Sequence, residues 1–301
     1  MTSLSKADRL QQKALEQVRE TEFGELMDAL PAGSVHVLEL GAGDGSLSNL
    51  LRSRGYTVTA LDIPASAWAD KRRSEVLDYN GVNIPLPNGS VDVVLSSNVM
   101  VHVRNFDELQ TDIRRVLKPG GFCLHTLPTP SWRLWTTLAC FPAIFRDAIY
   151  CPPKLGARAR HIPAFLTPLI GFALVAFYDL RAGLRLSSSG HATFLGELVA
   201  FSDWAWKARF NRTGFVVEVS KSMGVFYTGF YLLGPLLSIR TRRRLAVLLG
   251  SSVRLYRLSS LSESDASSLL SRTPQKVSTE SNTLACEARK LLTTSAVPCA
   301  A

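Results

Sequence analysis

The stretch VLELGAGDGS, residues 37–46, decides the fold of this 301-residue chain. An apolar run that leads into three glycines and then into a helical pattern predicts a strand, a tight turn and a helix in succession. In open α/β sheets, the turn after the first strand borders the crevice in which ligands bind. A dinucleotide-binding turn has the spacing G-x-G-x-x-G and would need glycine where Ser46 stands, so this turn disfavours a pyrophosphate ligand.

Short apolar runs alternate with helical stretches on both sides of this turn. Strands are predicted at 35–40, 57–63, 75–79, 91–97, 122–127, 215–220 and 252–258, and helices at 4–30, 46–54, 106–117 and 197–214. Near-continuous apolar strands that alternate with helices are typical of a parallel sheet covered on both faces. The chain is therefore predicted to be an α/β protein with a doubly wound, mostly parallel, seven-stranded sheet.

Composition divides the chain into three regions. Residues 1–34 are predicted to form a helical segment, and residues 35–258 to form the α/β domain. This domain carries a helical insertion at about 128–195, where prolines interrupt aromatic-rich segments. Over residues 259–301, serine, threonine and alanine dominate without periodicity, so this tail is predicted to be disordered.

The cysteines and the N-terminus bear on the cellular compartment. The five cysteines are an odd number without a C-x-x-C pair, which argues against a disulfide framework and against a zinc ribbon. Residues 1–20 lack the apolar core of a signal peptide. A cytoplasmic protein is predicted, with the inner face of a membrane left open as its location. No metal is expected, because no His, Cys and Asp cluster has the spacing of a metal site.

Two acidic residues flank the glycine turn at informative positions. Asp62 falls at the end of the second predicted strand, about 20 residues after Gly41, where an acid can accept hydrogen bonds from both hydroxyls of a ribose. Glu39 lies inside an otherwise apolar strand, where a carboxylate is costly unless it is satisfied. A cationic ligand with an amino group would satisfy it.

The order of the motifs resembles that of a known family. ELGAGDG (39–45), LDI (61–63), IPLPNGSVDVVLSSNVMVHV (84–103) and IRRVLKPGGFCLHTLP (113–128) follow one another as in the class I S-adenosylmethionine-dependent methyltransferases. The chain resembles most closely the bacterial-type group known as the methyltransferase domain, over about residues 35–127. The resemblance implies a Rossmann-like fold and S-adenosylmethionine as the cofactor.

The resemblance also implies a set of cofactor-binding residues in the first motif, at the ribose-binding acid, after the third strand and at the end of the fourth. These residues are Glu39, Gly41, Gly43, Gly45, Asp62, Ile63, Asp78, Asn80, Ser97 and Asn98. Members of the family often carry an acid where Asn80 stands. The contact to the adenine edge is therefore assigned to Asp78 or Asn80, without a choice between them.

His102 follows the fourth predicted strand and is the candidate catalytic base, since imidazole accepts a proton near neutral pH. A base is needed when the methyl acceptor is a hydroxyl or a protonated amine. Many relatives have glutamate directly before this histidine, whereas this chain has Val101. A structural histidine that bonds the next loop is the alternative to a catalytic one.

Basic and apolar segments in the second half of the chain indicate an anionic partner. The net charge is +9, and the whole excess lies in residues 151–258. Residues 162–178 and 225–244 combine apolar stretches with bordering arginines, which is typical of peripheral contact with an anionic membrane and equally of buried helices in a basic protein. Nucleic acid is disfavoured because no binding module accompanies the charge. The oligomeric state stays open.

The predicted function is methyl transfer from S-adenosylmethionine to a small or lipid-linked acceptor, with oxygen favoured over carbon or nitrogen. Two alternatives remain. One is a catalytically inactive scaffold that keeps the cofactor pocket, which Val101 and the open adenine contact support. The other is a nicotinamide-dependent reductase, which the serine at position 46 disfavours.

Overall fold

The computed structural model describes residues 6–139, 194–229 and 237–260, with the side chains of the first helix described from residue 14. Most of the predicted insertion, nearly all of the predicted disordered tail and the whole of 162–178 lie outside the described residues. Residues 225–244 lie inside them except for 230–236. Within these ranges, no helix combines the length and the apolar character needed to cross a bilayer.

The strands of the described chain form one sheet. They are β1 (His36–Leu40), β2 (Thr57–Asp62), β3 (Leu77–Asp78), β4 (Val91–Ser97), β5 (Leu117–Pro128), β6 (Phe215–Ser222) and β7 (Val253–Ser260). Their order across the sheet is β3-β2-β1-β4-β5-β7-β6. Neighbours from β3 to β5 pair in parallel, whereas β7 is antiparallel to both β5 and β6. The predicted doubly wound, mostly parallel, seven-stranded α/β sheet is therefore confirmed.

The strand order reverses between β1 and β4. The chain winds outward from β1 through β2 to β3, and then returns to place β4 on the other side of β1. In such sheets a crevice opens beyond the carboxyl ends of the strands at the point of reversal. The glycine turn that follows Leu40 therefore lies at this crevice, beside the end of β4.

Helices cover both faces of the sheet. In the described ranges they are α1 (Lys6–Asp28), α2 (Ser46–Ser53), α3 (Phe106–Val116), α4 (130–139), α5 (Phe194–Ala200), α6 (Asp203–Arg212) and α7 (Ile239–Leu249). Short 3-10 turns occur at Ala69–Lys71, after β2, and at Met100–His102, after β4. Helices α2 and α3 thus fill the connections from β1 to β2 and from β4 to β5, which are parallel pairs.

Alternate residues of the central strand face two different helical layers. Leu38 of β1 belongs to an apolar cluster that includes Phe106 of α3 and side chains of α6. Val37, on the opposite face, belongs to a second cluster that includes Leu26 of α1 and side chains of α2. Glu39 shares the face of Val37, so its carboxylate enters the layer formed by α1 and α2.

Element boundaries differ from those predicted in two informative places. The helix predicted over 197–214 is two helices, because Ser202 has an extended backbone and its hydroxyl accepts the N–H of Ala205, which caps a new helix. The last strand continues through Ser260, into the predicted tail, because Ser260 pairs with Phe215 of β6.

A buried ion pair joins α4, inside the predicted insertion, to α5, which extends just beyond it. Arg133 of α4 and Glu197 of α5 are both almost fully buried, and the guanidinium contacts the carboxylate directly. The guanidinium also lies 5.4 Å from the ring centroid of Phe194. Loss of one partner of a buried ion pair costs about 3–5 kcal/mol. The ion pair therefore stabilises the contact between α4 and α5, the two helices that precede and follow residues 140–193 in the chain.

Trp206 and Trp204 of α6 form a matched pair for testing the core. Trp206 is 1% exposed and stacks on Phe210 with ring centroids 5.7 Å apart, whereas Trp204 is 65% exposed. We expect Trp206→Ala to lower the free energy of unfolding by about 3–5 kcal/mol, because it leaves a large cavity. Trp204→Ala should change it by less than about 0.5 kcal/mol. Urea denaturation measures both, and equal losses would contradict this packing.

Candidate functional site

The turn after β1 depends on its glycines. Gly41 and Gly45 have φ angles of +70° and +79°, in the left-handed region that favours glycine. A Cβ atom on Gly41 would overlap the Val99 side chain, and one on Gly45 would overlap the Ser74 hydroxyl. The Gly41 N–H donates to the Leu61 carbonyl at 2.8 Å. The turn is therefore packed closely against its neighbours and held to β2.

Asp62 ends β2 and faces the glycine turn. Its Oδ2 accepts the Gly43 N–H at 2.9 Å, and its Oδ1 accepts the N–H of Ile63 at 2.8 Å. The residue is buried, yet each carboxylate oxygen keeps lone-pair capacity beyond this one bond. Asp62 therefore shapes the turn and can also accept hydrogen bonds from a pair of ligand hydroxyls.

Glu39 is a buried carboxylate beneath the same turn. It is 3% exposed, and its Oε2 accepts the hydroxyl of Ser48 from α2. Burial raises the pKa of Glu39 to about 7, although the Ser48 hydrogen bond and the charge of Arg52 act in the opposite direction. No described residue forms a salt bridge with this carboxylate. A cationic ligand would supply the missing counter-charge.

A second buried carboxylate reaches the site from α1. Ala14, Val18, Glu22 and Leu26 are buried on one face of this helix, so Glu22 interrupts an otherwise apolar stripe. Its Oε1 accepts the Tyr227 hydroxyl at 2.9 Å. Burial raises the pKa of Glu22 to about 7, against the effects of that hydrogen bond and of the nearby Arg19 charge.

A cavity of about 1090 Å³ is lined by residues that end or follow β1, β2, β3 and β4. Of the site residues predicted from the sequence, all line it except Gly45 and Asp78. The residues that it brings together are Glu39, Gly41, Gly43, Asp62, Ile63, Asn80, Ser97, Asn98 and His102. Gly45 instead directly precedes α2, as its N-cap residue. The binding roles of these residues stay predictions.

The structure separates the two candidates for the adenine contact. The Asp78 side chain is half exposed and pairs with Arg72 at 2.6 Å, away from the cavity lining. Asn80 lines the cavity, and its Oδ1 accepts the N–H groups of Val82 and Asn83 at 3.0 and 2.7 Å. Placement in the cavity therefore favours Asn80 over Asp78 for this contact.

The end of β4 presents Ser97, Asn98 and His102 to the cavity. Asn98 has a φ angle of +57°, uncommon for a residue other than glycine, and its N–H donates to the Thr126 carbonyl at 2.9 Å. Partial burial lowers the pKa of His102, so the neutral imidazole dominates at neutral pH. In the described ranges, no residue forms a hydrogen bond with the His102 ring. The bond to the next loop that a structural histidine would make is therefore not seen in those ranges.

Sequence reasoning missed the contributions of α1 and of the turn after β2. Arg19, Glu22 and Phe23 line the cavity from α1, and Trp68 lines it from the turn. The Arg19 guanidinium lies 5.0 Å from the Trp68 ring centroid, a cation–π contact that joins the two elements. A signal for Glu22 existed, because a carboxylate at position 22 breaks the apolar helical spacing. No local pattern marks Trp68.

The electrostatics of the cavity favour a cationic ligand. Glu22, Glu39 and Asp62 all lie in its wall and are all buried. The described residues include no group of three or more His, Cys, Asp or Glu able to hold a metal ion. Buried carboxylates are costly unless a positive charge is near, and such a charge would lower the raised pKa values of Glu22 and Glu39. The buried carboxylates of the site therefore suit a cationic ligand.

Known proteins share sequence with the part of the chain that builds this cavity. A family profile described as "Methyltransferase domain" matches residues 38–125. The chain is 30% identical over 182 residues to the ubiquinone/menaquinone biosynthesis C-methyltransferase UbiE of Rubrivivax gelatinosus, a match covering 52% of this chain and 70% of that protein.

Two further relatives match over shorter stretches. The malonyl-(acyl-carrier protein) O-methyltransferase of Enterobacter lignolyticus is 33% identical over 106 residues, which is 34% of this chain and 42% of that protein. The biotin biosynthesis bifunctional protein BioHC of Cellvibrio japonicus is 34% identical over 104 residues, which is 32% of this chain and 21% of that protein. The chain thus spans less than half the length of these two relatives.

Glu39→Gln isolates the cost of the buried carboxylate in the ligand-free protein. In the folded protein the pKa of Glu39 is raised from 4.5 to about 7. As the pH rises, the unfolded chain therefore loses the Glu39 proton at a lower pH than the folded protein does, so the free energy of unfolding falls between these two values. Glutamine does not titrate. We therefore expect the variant to be more stable than the wild type by about 2–3 kcal/mol near pH 8, and by less than about 1 kcal/mol near pH 5.

Denaturant unfolding at both pH values measures this difference. Glu75→Gln, at an exposed position, is the matched control and should show no gain that grows with pH. Titration of Glu22 affects the wild type and the Glu39 variant alike, so it cancels in the comparison. If Glu39→Gln stabilised the protein equally at both pH values, the free-energy cost attributed to burial of the Glu39 carboxylate would be contradicted.

Proposed function

The chain belongs to the class I S-adenosylmethionine-dependent methyltransferases, and from this premise we propose that it transfers a methyl group from that cofactor to a small or lipid-linked acceptor, with oxygen as the receiving atom. The observation that carries the proposal is the pair of carboxylates at the glycine turn. Glu39 lies buried beneath the turn without a salt-bridge partner among the described residues, and Asp62 accepts a hydrogen bond from the turn itself.

The cavity residues fit S-adenosylmethionine. The Asp62 carboxylate would accept hydrogen bonds from the ribose hydroxyls, and Asn80 would lie at the adenine edge. Glu39 would supply the negative charge that the ammonium group of the methionyl part requires. When bound, the cofactor would supply a methyl group on a positively charged sulfur, and the neutral thioether would be the leaving group in an in-line transfer to the acceptor.

The charge of Glu39 disfavours a nicotinamide dinucleotide. Its pyrophosphate is anionic, and the buried Glu39 carboxylate beneath the turn would repel it. Ser46 also occupies the position at which a dinucleotide-binding turn needs its third glycine. A methyl donor with a positive charge is therefore the cofactor that this site supports better.

Oxygen is proposed as the receiving atom on the basis of His102. The ring lines the cavity, and its lowered pKa keeps it in the neutral form that can take a proton from a hydroxyl. The names of the relatives include both an O-methyltransferase and a C-methyltransferase, so the comparisons do not choose between these atoms. A hydroxyl acceptor makes direct use of such a base.

Asp62→Ala should weaken the binding of S-adenosylmethionine by about 1.5–3 kcal/mol, because it removes charge-assisted hydrogen bonds to the ribose. Isothermal titration calorimetry with the cofactor and with its demethylated product measures the loss. Asp107→Ala removes an exposed carboxylate from α3 and should bind as the wild type does. Unchanged affinity in Asp62→Ala would place the ribose elsewhere, and a wild type that binds neither compound would end the proposal.

His102→Ala should slow methyl transfer by about 10²–10⁴-fold and leave cofactor affinity unchanged, because only proton removal from the acceptor is lost. The acceptor is first sought by incubating cell extracts with the protein and methyl-labelled S-adenosylmethionine. The wild-type rate should fall as pH drops below the His102 pKa, whereas the residual rate of the variant should not. Bound cofactor without transfer to any extract would favour the scaffold alternative, and a full rate in His102→Ala would exclude this base.

A further inference from the structure

The outer face of α7 combines positive charge with exposed apolar side chains. Arg240, Arg243, Arg244, Val247 and Leu248 are all exposed and follow one another at the three- and four-residue spacing of one helix face. Val247 and Leu248 are 86% and 80% exposed, the highest values among the large apolar side chains of the described chain. These five residues are called the α7 outer face below.

The opposite face holds α7 in place. Arg242 is buried, and its Nη1 donates to the Phe226 carbonyl at 3.1 Å. At the end of the helix, the Leu249 carbonyl accepts the Trp135 Nε1–H at 3.1 Å and the Ser131 hydroxyl at 2.6 Å, both from α4. The α7 outer face therefore belongs to a helix that contacts on its other side and at its end hold in place.

Among the described residues, no acid compensates the positive charge of this face. No described acid pairs with Arg240, Arg243 or Arg244, and α7 itself contains neither Asp nor Glu. Arg240, in the first turn of α7, also lies near the positive end of the helix dipole, where a cation is unfavourable. An external anionic surface would offset both effects.

We propose that the α7 outer face binds the surface of an anionic phospholipid bilayer. The three arginines pair with lipid phosphates, while Val247 and Leu248 enter the boundary between head groups and acyl chains. A nucleic acid would also pair with the arginines, but it would leave the two apolar side chains in water. The combination of charge and apolar exposure on one face therefore favours the bilayer.

The bilayer would contact the domain on the side where the parallel strands have their carboxyl ends, which is also the side of the cavity. Val253 at the start of β7 pairs with Pro128 at the end of β5, close to where α4 and α7 are joined. β5 runs parallel to β4, whose carboxyl end lines the cavity. A lipid-linked acceptor would approach from this side, so the inference extends the proposed function, while lipid binding itself does not require that function.

The test is co-sedimentation of the full chain with vesicles of phosphatidylcholine alone and of phosphatidylcholine mixed with phosphatidylglycerol. We expect the wild type to bind only the mixed vesicles, and less at high salt. Arg243→Gln/Arg244→Gln should weaken this binding about 30-fold, since each arginine near an anionic surface contributes a factor of about five. Arg54→Gln/Arg114→Gln removes the same charge from other exposed positions and should bind as the wild type does.

Val247→Ser/Leu248→Ser separates a bilayer from other anions. It should weaken vesicle binding at least about tenfold and leave the calorimetric affinity for S-adenosylmethionine unchanged. The proposal is overturned if the wild type does not sediment with the mixed vesicles, or if the Arg243/Arg244 variant binds like its control. It is also overturned if the Val247/Leu248 variant keeps full binding and duplex DNA displaces the wild type from vesicles, which would indicate a nucleic-acid surface.

Discussion

The hydrogen bond from the Gly43 N–H to the Asp62 carboxylate is the contact on which the site depends. It fixes the turn after β1 relative to the end of β2, at the point where the strand order reverses. The wall of the crevice is thereby set before any ligand arrives, with Glu39 beneath it and the ends of β3 and β4 beside it. One side chain thus shapes the backbone and remains able to accept from a ligand.

The domain gives up stability to build this cavity. Glu39 and Glu22 lie in the layer between the sheet and α1, where apolar side chains would pack without an electrostatic cost. The hydroxyls of Ser48 and Tyr227 satisfy part of their hydrogen-bonding capacity, and the raised pKa values show that the compensation is incomplete. A bound cation would offset the free-energy cost of burying these two carboxylates. Ligand binding would therefore also stabilise the fold of this layer.

Short segments carry the features that could be predicted from the sequence. The alternation of apolar runs with helical stretches was enough to predict the sheet, and the glycine turn together with Asp62 was enough to place the crevice. Contacts between distant segments could not be predicted in this way: the Glu22–Tyr227 bond joins residues 205 positions apart. The choice between Asp78 and Asn80 depends on which way the side chains of the very short edge strand β3 face. A strand of two residues is too short for a sequence pattern to predict this.

The Arg133–Glu197 ion pair limits the single changes that the chain can tolerate during evolution. Both side chains are almost fully buried, so replacing one of them alone leaves the other charge buried without this counter-charge. Replacing both together by apolar residues of similar volume avoids that penalty. Descendants of this chain are therefore expected to keep the pair or to lose both partners at once.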